Sequence, residues 1–353
     1  MEPTRNVAWI LGAASPLGAA LARAASPHYA KIHLCDTPQK RAILSALLPR
    51  LETPRDRIHL REMNVELPFA GLPEGIISEE TGRTDIYHAA HRMDRSLAAS
   101  EIHGHNSLAL ERVFAIAYMV KNLGSITVIT DAGLVGDFEG RFSEAWTDVG
   151  QAPFDDVDKS SLQVERACLE DKKLPILRCR TGLTLLPGAL PELHPHWRSA
   201  ADILLGSVKW LSKLPRFVSV PAAVAEGSLA PITPSEWAAD VMVHLASEPK
   251  AVRRAHHLIV DPKPSIEAVL NLASAQLGGA RIKGGLPVGL IAKLGKVPGF
   301  KEAARRNADH VAAWWTPHRY CLSKNDLDTS HLASLLPPAL EIPTWVKVKP
   351  HLR

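Results

Sequence analysis

Val7-Ala-Trp-Ile-Leu11-Gly12-Ala-Ala-Ser15-Pro16-Leu17-Gly18-Ala-Ala-Leu21 is the stretch whose reading decides the fold. Its first five residues are apolar and read as a buried strand, and Pro16–Ala25 reads as a helix. Between them Gly12 and Gly18 bracket a turn of the pattern Gly-x-x-Ser-x-x-Gly. Glycines at such a turn let the backbone bend tightly and approach a pyrophosphate at the helix N-terminus. Ser15 is a good N-cap and Pro16 suits the first helical position. Pro16 brings no N–H, so the anion nest has one donor fewer, and the Ser15 hydroxyl is placed to compensate. The uncharged run from Arg5 to Arg23 also has the look of a signal peptide with Val7–Ala14 as its apolar core. Gly12, Ser15, Pro16 and Gly18 interrupt that core, and a nucleotide-binding turn fits the run better.

Working outward, strand patterns at Val7–Leu11, Lys31–Cys35, Arg57–Arg61, Asp85–His88, Ser125–Thr130 and Ile176–Arg178 alternate with helical ones. The helical patterns cover Pro16–Ala25, Gln39–Leu48, Glu101–Asn122 and Lys159–Leu169. This alternation predicts an α/β fold, a Rossmann-type doubly wound parallel sheet with a smaller mixed C-terminal substrate lobe. Beyond Arg180 the pattern is less regular, with a helix over Pro234–Ala246, a strand over His256–Val260 and a helix over Ser265–Gln276. The division that follows is a dinucleotide-binding domain of residues 1–180, with a return segment near 215–250. Residues 181–215 and 251–353 then form the second lobe.

Composition narrows the function. At 353 residues, 46% of them hydrophobic and 22% charged, the chain has ample material for a core, which excludes wholesale disorder. The net charge of +4 conceals a local excess: residues 281–324 carry nine Lys/Arg against two acids. That patch has no recognition motif beside it, so nucleic acid is not an expected partner. The four cysteines (Cys35, Cys168, Cys179, Cys321) lack any Cys-x-x-Cys spacing. Neither a metal cluster nor a disulfide framework is expected, and a reducing cytoplasm is the default compartment. No segment has the roughly twenty apolar residues that a membrane span needs.

Asp36 ends the second strand, where a carboxylate accepts from a ribose diol and repels a 2′-phosphate. It favours NAD(H) over NADP(H), with Arg41 nearby pulling the other way. Without a ligand, the same residues describe a tight strand–helix turn and a surface carboxylate.

The order of these features resembles an extended short-chain dehydrogenase/reductase, of the branch containing fatty acyl-CoA reductases and thioester-reductase domains. The resemblance covers roughly residues 5–275. It runs through Gly12–Gly18, Asp36, Asn64-Val65, Asp85-Ile-Tyr-His88-Ala89-Ala90-His91 and Asn106. It continues through Ile126–Gly136, Gly140–Glu144, Gly150-Gln151, Glu165, Ile232–Asp240 and His256–Asp261. It implies that Gly12, Ser15, Pro16, Leu17, Gly18, Asp36, Asn64, Val65, His88, Ala89, Ala90 and Thr130 hold the cofactor, with Asn64 and Val65 at adenine. It also implies catalysis by a Ser/Thr together with Tyr-x-x-x-Lys, the Lys lowering the phenol's pKa. Here the chain departs: Asp131 stands at the Ser/Thr position, Val157 at the Tyr and Ser161 at the Lys, while Cys179 replaces the Pro that usually follows the sixth-strand Arg. The one literal match, Tyr320-x-x-x-Lys324, falls about 160 residues too late to serve.

Asp131 is the substitute acid/base that these departures leave. Asp155, Asp156 and Asp158 read as favourable charge at a helix start. Of His88, His91, His103 and His105, His88 belongs to the cofactor segment, the others read as surface or satisfied polar groups, and no metal is expected. On the substrate side the resemblance implies a lipophilic or acyl-thioester partner, bound to CoA or a carrier. Gly284–Ala292 flanked by Lys283, Lys293 and Lys296, then a stripe of Ala304, Ala308, Val311 and Trp315 beside Arg305 and Arg306, would suit it or an anionic membrane surface. A core-facing helix with a solvated basic face accounts for the same stripe. A homodimer through the long central helix is a further implication. Three functions remain open: an NAD(H)-binding enzyme with a non-standard active site, a catalytically degenerate NAD(H)-binding scaffold or sensor, and a non-redox lyase, isomerase or cyclase.

Overall fold

Alternate residues of strand β1 (Arg5–Leu11) enter different cores: Val7, Trp9 and Leu11 one, Ala8 and Ile10 the other. A strand apolar on both faces needs helices above and below it, and that is the architecture of this computed structural model, which describes residues 5–51, 53–93, 97–185, 216, 219–222, 227–284 and 324–352. The Ala304–Trp315 stripe, Tyr320 and the apolar slot beyond Gly284 lie outside the described residues.

From β1 the chain runs through α1 (Pro16–Ala25), β2 (Tyr29–Asp36), α2 (Arg41–Leu47), β3 (Ile58–Glu62), α3 (Glu74–Ser78) and β4 (Thr84–His88). Then come α4 (Ala99–Met119), β5 (Leu123–Asp131), β6 (Gly140–Phe142), α5 (Asp156–Glu170) and β7 (Ile176–Thr181). Seven strands form one parallel sheet in the order β11-β7-β5-β4-β1-β2-β3, where β11 is Ala255–Leu258. The α1 face, with α6 (Ser235–Leu245), buries Leu21, Ile32, Leu34 and Met242. On the opposite face α4 and α5 cover Ile86, Val113, Ile116, Ile126 and Val164.

Strand pairs of three or four residues lie outside the large sheet: β8 (Leu183–Leu185) with β10 (Ile232–Pro234), and β9 (Ser219–Ala222) with β12 (Arg281–Gly284). β13 (Asn325–Leu327) pairs with β6, and α8 (Ser330–Leu335) follows it. Helix α7 (Ile266–Gln276) starts after Ser265, whose side chain accepts from Ala268 N–H.

The α/β fold and the order of its main elements match the sequence reading, with local differences. α5 begins at Asp156 rather than Lys159, because the Asp155 carboxylate caps it by accepting from Asp158 N–H at 2.9 Å. α2 is shortened at both ends by 3₁₀ turns at Pro38–Lys40 and Leu48–Arg50, each containing a proline that lacks the amide an α-turn needs. The uncharged run from Arg5 to Arg23 is β1, the turn and most of α1. Among the described residues no helix is long and apolar enough to cross a membrane.

Candidate functional site

The strand order reverses direction between β1 and β4, which are hydrogen-bonded neighbours, so the loops leaving their carboxyl ends face each other across a crevice. Gly12 there has φ +85°, and a Cβ on it would lie 2.5 Å from Ala90 N; on Gly18 it would lie 2.2 Å from Gly12 O. No side chain fits at either place. The turn is tied to β2: Gly12 and Ala13 N–H donate to Cys35 O, and Ala14 N–H donates to Asp36 Oδ2 at 2.8 Å. Ser15 N–H donates to Gly12 O, and Gly18 N–H donates to Ser15 Oγ at 3.0 Å. The Ser15 hydroxyl donates to Ala89 O at 3.3 Å, so it bridges the two loops as well as capping α1.

Asp36 is only 2% exposed. Besides Ala14, it accepts from Thr37 N–H at 2.8 Å, and Lys40 Nζ lies 3.4 Å from it. Its carboxylate holds the turn, at the place where the sequence suggested a ribose contact or a surface group. Arg41 pairs instead with Glu62 at 2.7 Å on the surface.

Beside this turn lies a cavity of about 10 Å³ lined by Leu11, Met63, Val65, His88, Ala90 and Arg112 among others. Val65 is thus brought together with His88 and Ala90 from two separate stretches of the chain. Asn64 is exposed, and its Oδ1 accepts from Glu66 N–H. His88 is fully buried, and among the described residues neither ring nitrogen has a hydrogen-bond partner. Burial, aided by the neighbouring His91 and His105, pushes its pKa down to about 3, so the ring is neutral. Arg112 escaped the sequence reading. Its guanidinium donates from Nε to Val65 O at 3.3 Å, and only its place on the same stripe of α4 as Ala109, Val113 and Ile116 would have pointed to it. A mostly aliphatic slot holding the buried imidazole thus lies beside a turn that only glycines can make.

At the end of β5, Asp131 is 3% exposed; its Oδ1 accepts from Gly133 N–H at 2.7 Å and caps the 3₁₀ turn Ala132–Val135. Its own N–H donates to Ser161 Oγ at 3.2 Å. Ser161 Oγ is also 3.0 Å from His91 Nε2, and Asn106 Nδ2 lies 3.4 Å from that nitrogen while donating to Ser160 Oγ at 2.9 Å. Val157 and Ser161 are fully buried on α5, and of the replaced positions Asp131 and Ser161 meet through the hydrogen bond from Asp131 N–H. His105 contacts Ala90 O and His103 contacts Gln163, both through ring nitrogens.

The Thr130 hydroxyl donates to Glu165 Oε1 at 2.8 Å. Glu165 is the centre of a buried knot: Arg180 donates from Nε at 2.8 Å and Nη2 at 2.6 Å, and Arg178 from Nη1 at 3.3 Å. Burial opposes its charge, but the two guanidiniums win and hold its pKa down to about 2. Among the described residues no group of three or more His, Cys, Asp or Glu could hold a metal ion.

No protein-family profile and no curated protein sequence matches the chain. Solved structures do match in fold. The terminal R domain from the myxalamid PKS-NRPS biosynthetic pathway superposes with a TM-score of 0.75 at 16% identity, over 100% of this chain and 90% of that one. A thiolation-reductase di-domain from an archaeal non-ribosomal peptide synthetase gives 0.69 at 14%, over 99% and 74%. UDP-glucuronic acid 4-epimerase from Bacillus cereus, solved with UDP-glucuronic acid and NAD, gives 0.62 at 15%, over 98% and 96%. The chain therefore shares its fold with these two reductase domains and this epimerase, the α/β fold that the resemblance in sequence implied.

Proposed function

We propose that the chain binds NAD(H) across the β1/β4 crevice and acts on a lipophilic keto or acyl intermediate with a non-standard active site. The observation that carries this reading is the retained crevice, a glycine turn abutting Ala89–Ala90 with a cavity beside it. The likeness in fold to two reductase domains, one of them joined to a thiolation domain, supports a CoA- or carrier-bound thioester as the substrate class. When bound, the nicotinamide would accept or donate hydride; this chain's residues must bind, orient and move the proton. Leu17 is the one residue after Pro16 in the turn whose N–H takes no acceptor among the described residues, and it faces the anion position at the start of α1. The proton is assigned to the Asp131 carboxylate, whose orientation the Gly133 amide fixes.

A second reading is favoured by a separate observation. Val157 cannot move a proton, and Ser161 is buried and already hydrogen-bonded. A chain that kept the cofactor and lost the chemistry would serve as an NAD(H)-responsive scaffold.

Calorimetric titration with NADH and, separately, NADPH tests the binding, with tighter binding of NADH expected; no binding of either overturns both readings. Asp131→Asn then separates them. Asparagine keeps the cap, so thermal stability should hold within about 0.5 kcal/mol, while substrate-dependent NADH oxidation falls at least a hundredfold. Unchanged turnover removes Asp131 from the mechanism. Failure of the wild type to oxidise NADH with any acyl thioester or ketone in a broad panel, despite tight binding, favours the scaffold.

A further inference from the structure

Apolar side chains ordinarily turn inward and polar ones outward. The loop between β6 and α5 does the reverse. Its polar groups are tied down: Arg180 donates to Trp146 O at 2.6 Å, the Thr147 hydroxyl donates to Glu165 Oε2 at 3.3 Å, and Gln151 Nε2 donates to Thr147 O at 2.7 Å. Val149 N–H donates to Gln151 Oε1 at 2.9 Å, and Asp148 pairs with Arg166 at 2.6 Å. The apolar side chains left outside are Trp146, 41% exposed, and Val149, 44% exposed. Behind the indole stand the rings of Phe138 and Phe142, each with its centroid 5.8 Å away. An apolar pair held on so fixed a frame loses little freedom when a ligand covers it, and pre-organisation of this kind favours binding.

The loop's attachment narrows what covers it. Gln151 Nε2 also donates to Leu134 O at 3.2 Å, in the 3₁₀ turn that Asp131 caps. Gly136 follows that turn, and a Cβ on it would lie 2.2 Å from Ala152 O, so its bareness lets the far end of the loop close against the turn. Trp146 and Val149 are thereby fixed to the segment that begins at the proposed proton-transfer residue. Together the two side chains expose on the order of 200 Å², against about 800 Å² per partner in a stable interface between proteins. That is too little to seat a second copy of the chain. It matches one side of an alkyl chain of several carbons, at roughly 30 Å² per CH₂.

We propose that Trp146 and Val149 are the landing surface for the alkyl chain of the acyl substrate, and that Trp146 sets the chain length the site prefers. This rests on the acyl-thioester reading above.

Octanoyl-CoA and acetyl-CoA, which differ only in the chain, test it by calorimetry, with NAD⁺ present because it cannot reduce a thioester. The wild type should bind octanoyl-CoA at least about tenfold more tightly than acetyl-CoA. Trp146→Ser should lose most of that difference and bind acetyl-CoA as the wild type does. Equal affinity of the wild type for the two thioesters, or an octanoyl-CoA affinity that Trp146→Ser leaves unchanged, overturns the assignment and leaves the thioester reading standing. Binding of neither removes that reading, and this one with it. Should Trp146→Ser fail to fold, the exposed position carries the test: Val149→Asp should weaken octanoyl-CoA alone, and no change there overturns the proposal. Sedimentation velocity and flotation with phosphatidylcholine–phosphatidylglycerol vesicles address the other occupants. A dimer that Val149→Asp splits, or vesicle binding that it abolishes, gives the surface to that partner and overturns the proposal.

Discussion

Pro16 is where a single atom alters the site. Of the amides that could face an anion at the head of α1, those of Ala13, Ala14 and Ser15 are engaged with Cys35, Asp36 and Gly12, and position 16 has none. Pro16→Ala restores one donor at a backbone conformation alanine accepts. A hydrogen bond to a charged group contributes about 1.5–3 kcal/mol, so NADH affinity should rise about tenfold or more, read by calorimetry; an unchanged affinity would mean that this amide does not face the ligand. The Pro and the Ser were visible in the sequence, as was the cap. That the Ser15 hydroxyl turns to Ala89 and the Asp36 carboxylate to Ala14 was not, since each is a contact between segments whose approach only the folded sheet creates. His88 is a similar case. Its segment could be read as lining the cofactor site, but a missing hydrogen bond leaves no mark in a sequence.

Elements are tied together by polar side chains as much as by apolar ones. Glu165 on α5 receives Arg178 and Arg180 from β7 and Thr130 from β5, and all four are buried. Removing one partner of a buried charge cluster strands the others, at about 3–5 kcal/mol, so Glu165→Gln should lower the denaturant midpoint substantially at pH 7. The sign with pH follows from the depressed pKa. The unfolded chain protonates near 4.5 while the folded one holds out to about 2, so this stability is present above pH 4.5 and is lost as pH falls from there. Glu165→Gln should flatten the acid limb of a stability–pH curve; an unaltered limb would place the acid sensitivity elsewhere. The long elements were legible because their apolar periodicity spans several turns or a whole strand. β6 and β13 were not: three residues each are too few for a period, and they pair across about half the length of the chain.

On the scale of the whole molecule, the C-terminal segment is fastened over the far edge of the sheet. Glu144, after β6, accepts from His257 N–H of β11 at 2.9 Å and from Leu332 N–H of α8 at 3.0 Å. The His257 ring meets Asp328 O at 2.6 Å through Nδ1, and Arg141 pairs with Asp328 at 2.6 Å. Burial, with Asp328 nearby, pushes Glu144 up to about 7 against the pull of its backbone donors. The folded state therefore holds a proton that the unfolded state has released, and stability falls as pH rises from about 4.5 through 7. Glu144→Gln should abolish that slope in urea titrations taken across the range; a slope that persists would assign it to another group. The division into lobes read from the sequence assigns this segment to the second lobe, and nothing in its short, irregular pattern announced that it returns. Its return has a bearing on time as well as on structure. The Glu144–Leu332 bond joins residues 188 apart, and closing so long a loop carries an entropic penalty that the β1–β2 and β4–β5 pairings avoid. The strap should therefore dock after the rate-limiting step of folding. Leu332→Ala, which empties a fully buried position, should then speed unfolding in stopped-flow measurements and leave the folding rate nearly unchanged. The last contact to form would set how long the native protein lasts.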